Sequence, residues 1–297
     1  MFESFTLPER VCFHPGPGQL PLCELSSPAG RAVISLQGAQ VLSYTPTGQP
    51  DLLWVSPLSL YQQGKSIRGG IPVCWPWFGD HAEDADKPAH GFARNALWQV
   101  RSSFADDEKT HIQLGLTESA TTEGLWPTPF DLTLDIELGT TLKLTLTTRN
   151  TGPHSVVITE ALHTYFSVSG TDKIQIEGLK DCRYRDKLEG FAVKPQQEEL
   201  TPTPPLDRVY DHAESNLRLI DNGLGRVITI DKRSSESTIV WNPGQAVAAT
   251  IEDIGAEAST RYICIESGNA LQNAVSIPPD TCHALVMELT STPLSVD

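Results

Sequence analysis

The tract Asp131-Leu-Thr-Leu-Asp-Ile-Glu-Leu138, broken by Gly139-Thr140 and resumed as Thr141-Leu-Lys-Leu-Thr-Leu-Thr147, alternates apolar and polar residues over nearly its whole length. Successive side chains of an extended strand point to opposite faces, so Leu132, Leu134, Ile136 and Leu138 share one face. Leu142, Leu144 and Leu146 line the matching face of the second run. An α-helix would scatter those leucines around its axis, so the pattern predicts a β-hairpin turning at Gly139-Thr140. The same period recurs in Ala32–Leu36, His111–Leu116, Lys173–Ile176, Arg226–Ile230 and His283–Leu289. No long window carries a sustained 3.6-residue apolar stripe, and 22 glycines and 22 prolines are spread along the chain as turn punctuation. The expectation is an all-β, antiparallel fold with residues 1–297 as a single domain. The proline-rich stretch 195–205 is read as a surface loop within it.

With 22 lysines and arginines against 37 acids, the formal charge is −15. Such a chain repels phosphate polymers and anionic bilayers, so neither nucleic acid nor a membrane surface is an expected partner. A single small anion is a different matter, because two or three local cations dominate a desolvated pocket whatever the global charge. No segment approaches about 20 consecutive apolar residues, and the N-terminus has acids and an early proline where a signal peptide needs a basic start. Six scattered cysteines show no metal-finger spacing. These features point to reduced thiols, a cytoplasmic location, a monomer, and no metal or other cofactor.

The chemistry-bearing residues crowd into Lys65-Ser-Ile-Arg-Gly-Gly-Ile-Pro-Val-Cys-Trp-Pro-Trp-Phe-Gly79 and Pro88-Ala-His-Gly-Phe-Ala-Arg94. Arg68 and Arg94, each near glycines, suit a bidentate grip on an oxyanion, and an aromatic wall suits the apolar face of a sugar ring. Trp75 is carried as that wall, with Trp77 as the alternative, since Pro76 breaks regular strand pairing between them. His90 either bonds its own loop or faces ligand. Further along, His163 sits in the apolar run Thr159-Glu-Ala-Leu-His-Thr-Tyr-Phe-Ser167, where it is a satisfied core residue or a catalyst. Glu266 follows Cys264-Ile265 in another strand-like run and, if buried, needs a partner or a purpose. Asp207, after Pro204-Pro205, is a turn acid or a hydroxyl ligand.

Taken in order, Ser66-Ile-Arg-Gly-Gly-Ile-Pro72, Trp75-Pro-Trp-Phe-Gly79, His90-Gly-Phe-Ala-Arg-Asn95 and Ala161-Leu-His-Thr-Tyr-Phe166, then Asp207-Arg-Val-Tyr210, Val240-Trp-Asn-Pro243 and Cys264-Ile-Glu266, give a chain that resembles the glucose-6-phosphate 1-epimerase (hexose-6-phosphate mutarotase) family, within the aldose 1-epimerase superfamily. The resemblance implies a large antiparallel β-sandwich of the galactose-mutarotase type and a phosphosugar substrate. It implies His163 and Glu266 as the catalytic pair, Arg68 and Arg94 at the substrate and its phosphate, Asp207 at a hydroxyl, and His90 near the ring oxygen or the C1 hydroxyl. Where the family pattern usually reads Pro-Gln-His-Gly, this chain has Ala89 in place of the glutamine, so one hydrogen-bonding group is missing. The acidic run Asp80–Asp86 beside this segment is expected to point into solvent.

Overall fold

The computed structural model describes residues 2–213 and 215–294. It is built from antiparallel strands, with two short α-helices among the described residues, Ala120–Leu125 and Gly244–Ala248. Two eight-stranded sheets make up the sandwich. The first runs, in spatial order, through Ile174–Glu177, Asn216–Asp221, Arg226–Arg233, Cys282–Pro293, Leu142–Asn150, Phe130–Leu138, Thr110–Thr117 and Gln99–Ala105. The second runs through Ala192–Pro195, Arg183–Asp186, Leu206–Asp211, Ser237–Asn242, Tyr262–Asn269, Glu160–Leu162 and Val73–Cys74, with Tyr165–Ser167 also paired to Tyr262–Asn269. A four-stranded sheet, Val11–Pro15 to Gln40–Pro46 in sequential order, lies against the strands Thr110–Thr117 and Phe130–Leu138.

The alternating runs are strands as expected, and the hairpin pairs Leu134 with Leu146 and Ile136 with Leu144. Its turn is one residue longer than Gly139-Thr140: the strands end at Leu138 and resume at Leu142, and the Gly139 N–H donates to the Thr141 carbonyl at 2.9 Å. Register matters here because a one-residue slip would send every leucine to the opposite face. Each fully buried leucine contributes about 1.5–3 kcal/mol relative to exposure. The leucine faces of this hairpin meet Leu162, Phe166, Val240, Ile263 and Ile265 of the second sheet in one continuous apolar cluster. Thr164, whose hydroxyl reaches Met287 Sδ at 3.4 Å, spans the same interface.

The stretch 195–205 departs from a free surface loop. Leu200 is buried in the main cluster and exchanges backbone hydrogen bonds with Ile176 at 2.8 and 3.0 Å, because its apolar side chain has a core to enter. Cys23, Cys74 and Cys264 are buried, and Cys12 and Cys282 are exposed.

Candidate active site

The two faces of the second sheet divide its labour. Leu162, Val240, Ile263 and Ile265 point into the sandwich, so alternation sends Trp241, Cys264 and Glu266 to the outer face. Cross-strand pairing places Asp207 opposite Trp241 and Trp241 opposite Cys264, while Glu266 lies opposite Ile239. His163 follows the strand Glu160–Leu162, with its N–H donating to the Pro72 carbonyl at 3.0 Å. That backbone bond fixes the ring over the outer face. His163 Nε2 then lies 3.2 Å from Glu266 Oε1, with side chains only 9% and 1% exposed.

Neither Glu266 oxygen accepts a hydrogen bond, and neither does His163 Nδ1 have a partner. A buried carboxyl without donors is costly, and the direction of its response is clear. Burial pushes Glu266 well above the usual carboxyl range; nearby Asp207 adds to this, while Lys187 and Arg94 oppose it. Burial pushes His163 well below the usual imidazole value, and His90, Arg94 and Arg68 push the same way. Burial thus favours the uncharged form of each member of the pair.

His90 stands next to this pair, its ring 5.6 Å from that of His163. Its φ of +64° is a left-handed conformation uncommon outside glycine, held by the loop's closure: the His90 N–H donates to the Gly79 carbonyl at 2.7 Å. His90 Nδ1 accepts from the Gly79 N–H at 3.3 Å, which leaves Nε2 to carry the ring proton. Burial, with Arg94, Lys187 and Arg68 adding, pushes the imidazole down to about 3, so it is neutral at physiological pH. Of the two readings of His90 left open by the sequence, the bond to its own loop is present, and the ring also lies beside the His163–Glu266 pair.

Arg68 reaches the site from the loop before Val73–Cys74. Its Nε donates to both Asp253 oxygens at 3.1 Å, and Nη1 donates to the Tyr165 hydroxyl at 3.2 Å. Tyr165 in turn stacks under His163, with ring centroids 4.9 Å apart and planes 13° from parallel. Arg94 sits on the short turn Ala93–Asn95; its Nη2 donates to the Ala89 carbonyl at 2.7 Å, and its buried Nε has no partner. The contact at position 89 runs through the backbone, so alanine there still anchors Arg94. Asp207 lies 3.7 Å from Lys187 Nζ, and burial raises its carboxyl above the usual range.

His163, Glu266, His90, Arg68, Arg94 and Asp207 thus gather around one spot. Trp75 does not join them. It is fully buried inside the sandwich, its indole N–H donating to Thr148 Oγ1 at 2.9 Å and its ring packed edge-on against Phe92 and Trp126. The expected sugar-facing Trp75 is corrected to a core residue: its strand neighbour Cys74 takes the sheet's other side, and a tryptophan buries more area than any alternative. Besides Tyr165, the aromatics at the site are Trp241, whose ring lies 6.0 Å from that of His163, and Phe78, 4.9 Å from that of His90. Trp77 is half-buried, with its indole N–H on the Pro88 carbonyl at 2.9 Å.

The glycines after Arg68 also have another purpose than baring backbone to a ligand. A Cβ on Gly69 would lie 2.3 Å from the Trp54 carbonyl oxygen, and one on Gly70 2.2 Å from that of Val41, with both residues at positive φ. They let the arginine's loop cross neighbouring backbone at close range. The acidic residues Glu83, Asp84 and Asp86 are exposed. Tyr165, Lys187, Trp241 and Asp253 are site residues that sequence reasoning missed. Tyr165 was findable, since residue i+2 from His163 on a strand shares its face. Asp253 comes from a loop remote in sequence and carries no such signal.

Comparison with known proteins adds an independent line. The aldose 1-epimerase family model matches residues 21–290. A protein of Escherichia coli (strain K12), curated as "Putative glucose-6-phosphate 1-epimerase", is 33% identical over 253 residues, which cover 85% of this chain and 84% of that protein. A protein of Cenchrus ciliaris with the same name is 30% identical over 258 residues, 84% of this chain and 77% of its own length. Among solved structures, a Salmonella typhimurium protein described as a "putative mutarotase" superposes with a TM-score of 0.88 at 28% identity, over 97% of this chain and 96% of that one. Galactose 1-epimerase from Lactobacillus acidophilus shares the fold, with a TM-score of 0.72 at 13% identity, over 98% of this chain and 100% of that one. No helix among the described residues is long and apolar enough to cross a membrane.

Proposed function

The chain belongs to the aldose 1-epimerase family, and from that premise we propose that it interconverts the α and β anomers of hexose 6-phosphates, glucose 6-phosphate first among them. The observation that carries this reading is the buried His163–Glu266 pair, 3.2 Å apart with the carboxyl unsatisfied. Anomer exchange needs one group to take the proton from the C1 hydroxyl and another to protonate the ring oxygen as the C1–O5 bond breaks. The open aldehyde then rotates about C1–C2, and the two transfers reverse to close the ring. One proton shared between two groups is sufficient for the cycle.

The resting pair holds that proton on Glu266. Moving it across to His163 leaves the pair's total charge unchanged, so it avoids the full cost of ionising either group alone in a buried site. Arg94 and Lys187 favour the carboxylate that results. In that form His163 is the acid toward the ring oxygen and Glu266 the base at O1. Neutral His90, with its proton on Nε2, offers a hydrogen bond to the same end of the sugar, and Asp207 offers an acceptor for a hydroxyl.

Support for a phosphorylated substrate comes from Arg68, Arg94 and Lys187, a concentration of cations unusual for a chain of charge −15. The unpartnered Arg94 Nε in particular is a buried donor lacking an acceptor. The test is anomer exchange by NMR on glucose and on glucose 6-phosphate, with the spontaneous rate subtracted. Faster exchange only on the phosphate is expected. Equal acceleration on both sugars would remove the phosphate requirement, and acceleration on neither would remove the reaction.

A further inference from the structure

We propose that His163, Cys264 and Glu266 form a binding site for one divalent cation of the zinc class, and that its occupancy switches anomer exchange off. The inhibitory half rests on the reading of the His163–Glu266 pair given above; the binding half does not. Each of the three residues offers one ligand atom, and those atoms lie within 4.8 Å of one another, all on buried side chains. Cys264 and Glu266 are two apart on the strand Tyr262–Asn269 and so share its outer face, where His163 closes the third corner.

The independent sign that this corner can take a ligand is Glu266 itself, whose side chain is 1% exposed with both oxygens unpartnered. Nitrogen, sulfur and oxygen donors select a borderline-soft ion, whereas magnesium and calcium require about six or more oxygens. Tetrahedral zinc holds its ligands at about 2.0–2.3 Å, which sets neighbouring donors some 3.3–3.7 Å apart. The 3.2 Å between His163 and Glu266 lies just below that edge, and the separations to the Cys264 sulfur, at most 4.8 Å, are those that must close on binding. Binding displaces one proton from the Cys264 thiol and one from the Glu266 carboxyl into solvent, and the dication held by thiolate, carboxylate and neutral imidazole is formally uncharged, so its burial escapes most of the ionic desolvation cost. The fourth position would remain open toward the partly exposed edge of His163. With the carboxylate and imidazole nitrogen donating to metal, neither can carry the sugar's protons.

Cobalt(II) titration of the wild-type chain, followed by absorption, tests binding without reference to any activity. One equivalent should give tetrahedral d–d bands and a sulfur-to-cobalt charge-transfer band, both abolished by added zinc. Cys264→Ser should lose the charge-transfer band and weaken binding by more than the about 10–100-fold typical of disturbing a ligand's supporting shell. Glu266→Gln, which keeps the side chain's shape, should lose the tetrahedral spectrum as well. An octahedral spectrum, or a charge-transfer band unchanged in Cys264→Ser, overturns the site. With binding established, zinc at saturation should halt exchange and a chelator restore it; unaltered exchange at full occupancy overturns the inhibitory role.

Discussion

Replacing Glu266 by glutamine should stabilise the protein while abolishing most of its turnover. The wild-type carboxyl is buried with both oxygens unpartnered, and a buried unsatisfied group costs about 1–3 kcal/mol, more when charged. Glutamine keeps the shape but has no proton to hold, so it escapes the cost of protonating a group that is ionised in the unfolded chain; at about 1.4 kcal/mol for each pH unit over which the folded carboxyl holds its proton, we expect a gain of about 1–3 kcal/mol at neutral pH. For a chain of 297 residues the unfolding entropy is about 0.6 kcal/mol per degree, so this corresponds to a Tm rise of roughly 2–5 °C. The gain must depend on pH in one direction. Burial raises the folded-state carboxyl above its unfolded value of 4.5, so the folded protein holds the proton more tightly. Wild-type stability is therefore lost as pH rises from 4.5 through the raised folded value, and the penalty is absent below 4.5. Calorimetry at pH 7.5 and pH 4 should show Glu266→Gln more stable than wild type at the first and equal to it at the second. Anomer exchange by NMR should fall by about 10²–10⁴ in the same variant. A variant less stable than wild type at pH 7.5, or equally stabilised at both pH values, refutes the buried-carboxyl argument. Full turnover in the variant refutes Glu266 as the base.

Arg94→Ala should raise the KM for glucose 6-phosphate with little change in kcat and leave the exchange of free glucose unaltered, as steady-state NMR can show. Trp75→Phe removes the indole hydrogen bond to Thr148 and opens a small void, for a loss of about 1–3 kcal/mol by denaturant titration with KM unchanged; a raised KM would return Trp75 to the substrate. Gly91→Ala would place a Cβ 1.9 Å from the Trp75 carbonyl oxygen at a φ of +70°, so it should expose the loop carrying His90 to proteolysis and depress activity. The His90 ring should stay neutral down to well below the ordinary imidazole value of 6.5 in an NMR titration, and because its folded value is lowered to about 3, it withdraws stability as pH falls from 6.5 toward 3. A His90 resonance titrating near 6.5 would place the ring in solvent instead.

The alternating leucines of 132–146 determined strands, their buried face and their hairpin from the sequence alone, because side-chain direction in an extended chain has a fixed period of two and water removes only one face. Arg68, His90, Arg94, His163, Asp207 and Glu266 were legible as candidates through the residue types and neighbours around them. What periodicity could not decide was the face taken at Trp75, where Pro76 interrupts the strand and the tryptophan fills the sandwich while Phe78 and Trp241 reach the site. Nor could it reveal Asp253 on Arg68, a contact across 185 residues of chain, or the 3.2 Å approach of His163 to Glu266. The second follows from the pairing of Glu160–Leu162 with Tyr262–Asn269 and the first from two loops brought together, both set by the packing of the whole sandwich. Sequence supplied the chemical groups; the fold decided which of them lose their water together, and that shared loss of solvent gives the His163–Glu266 pair its proton balance.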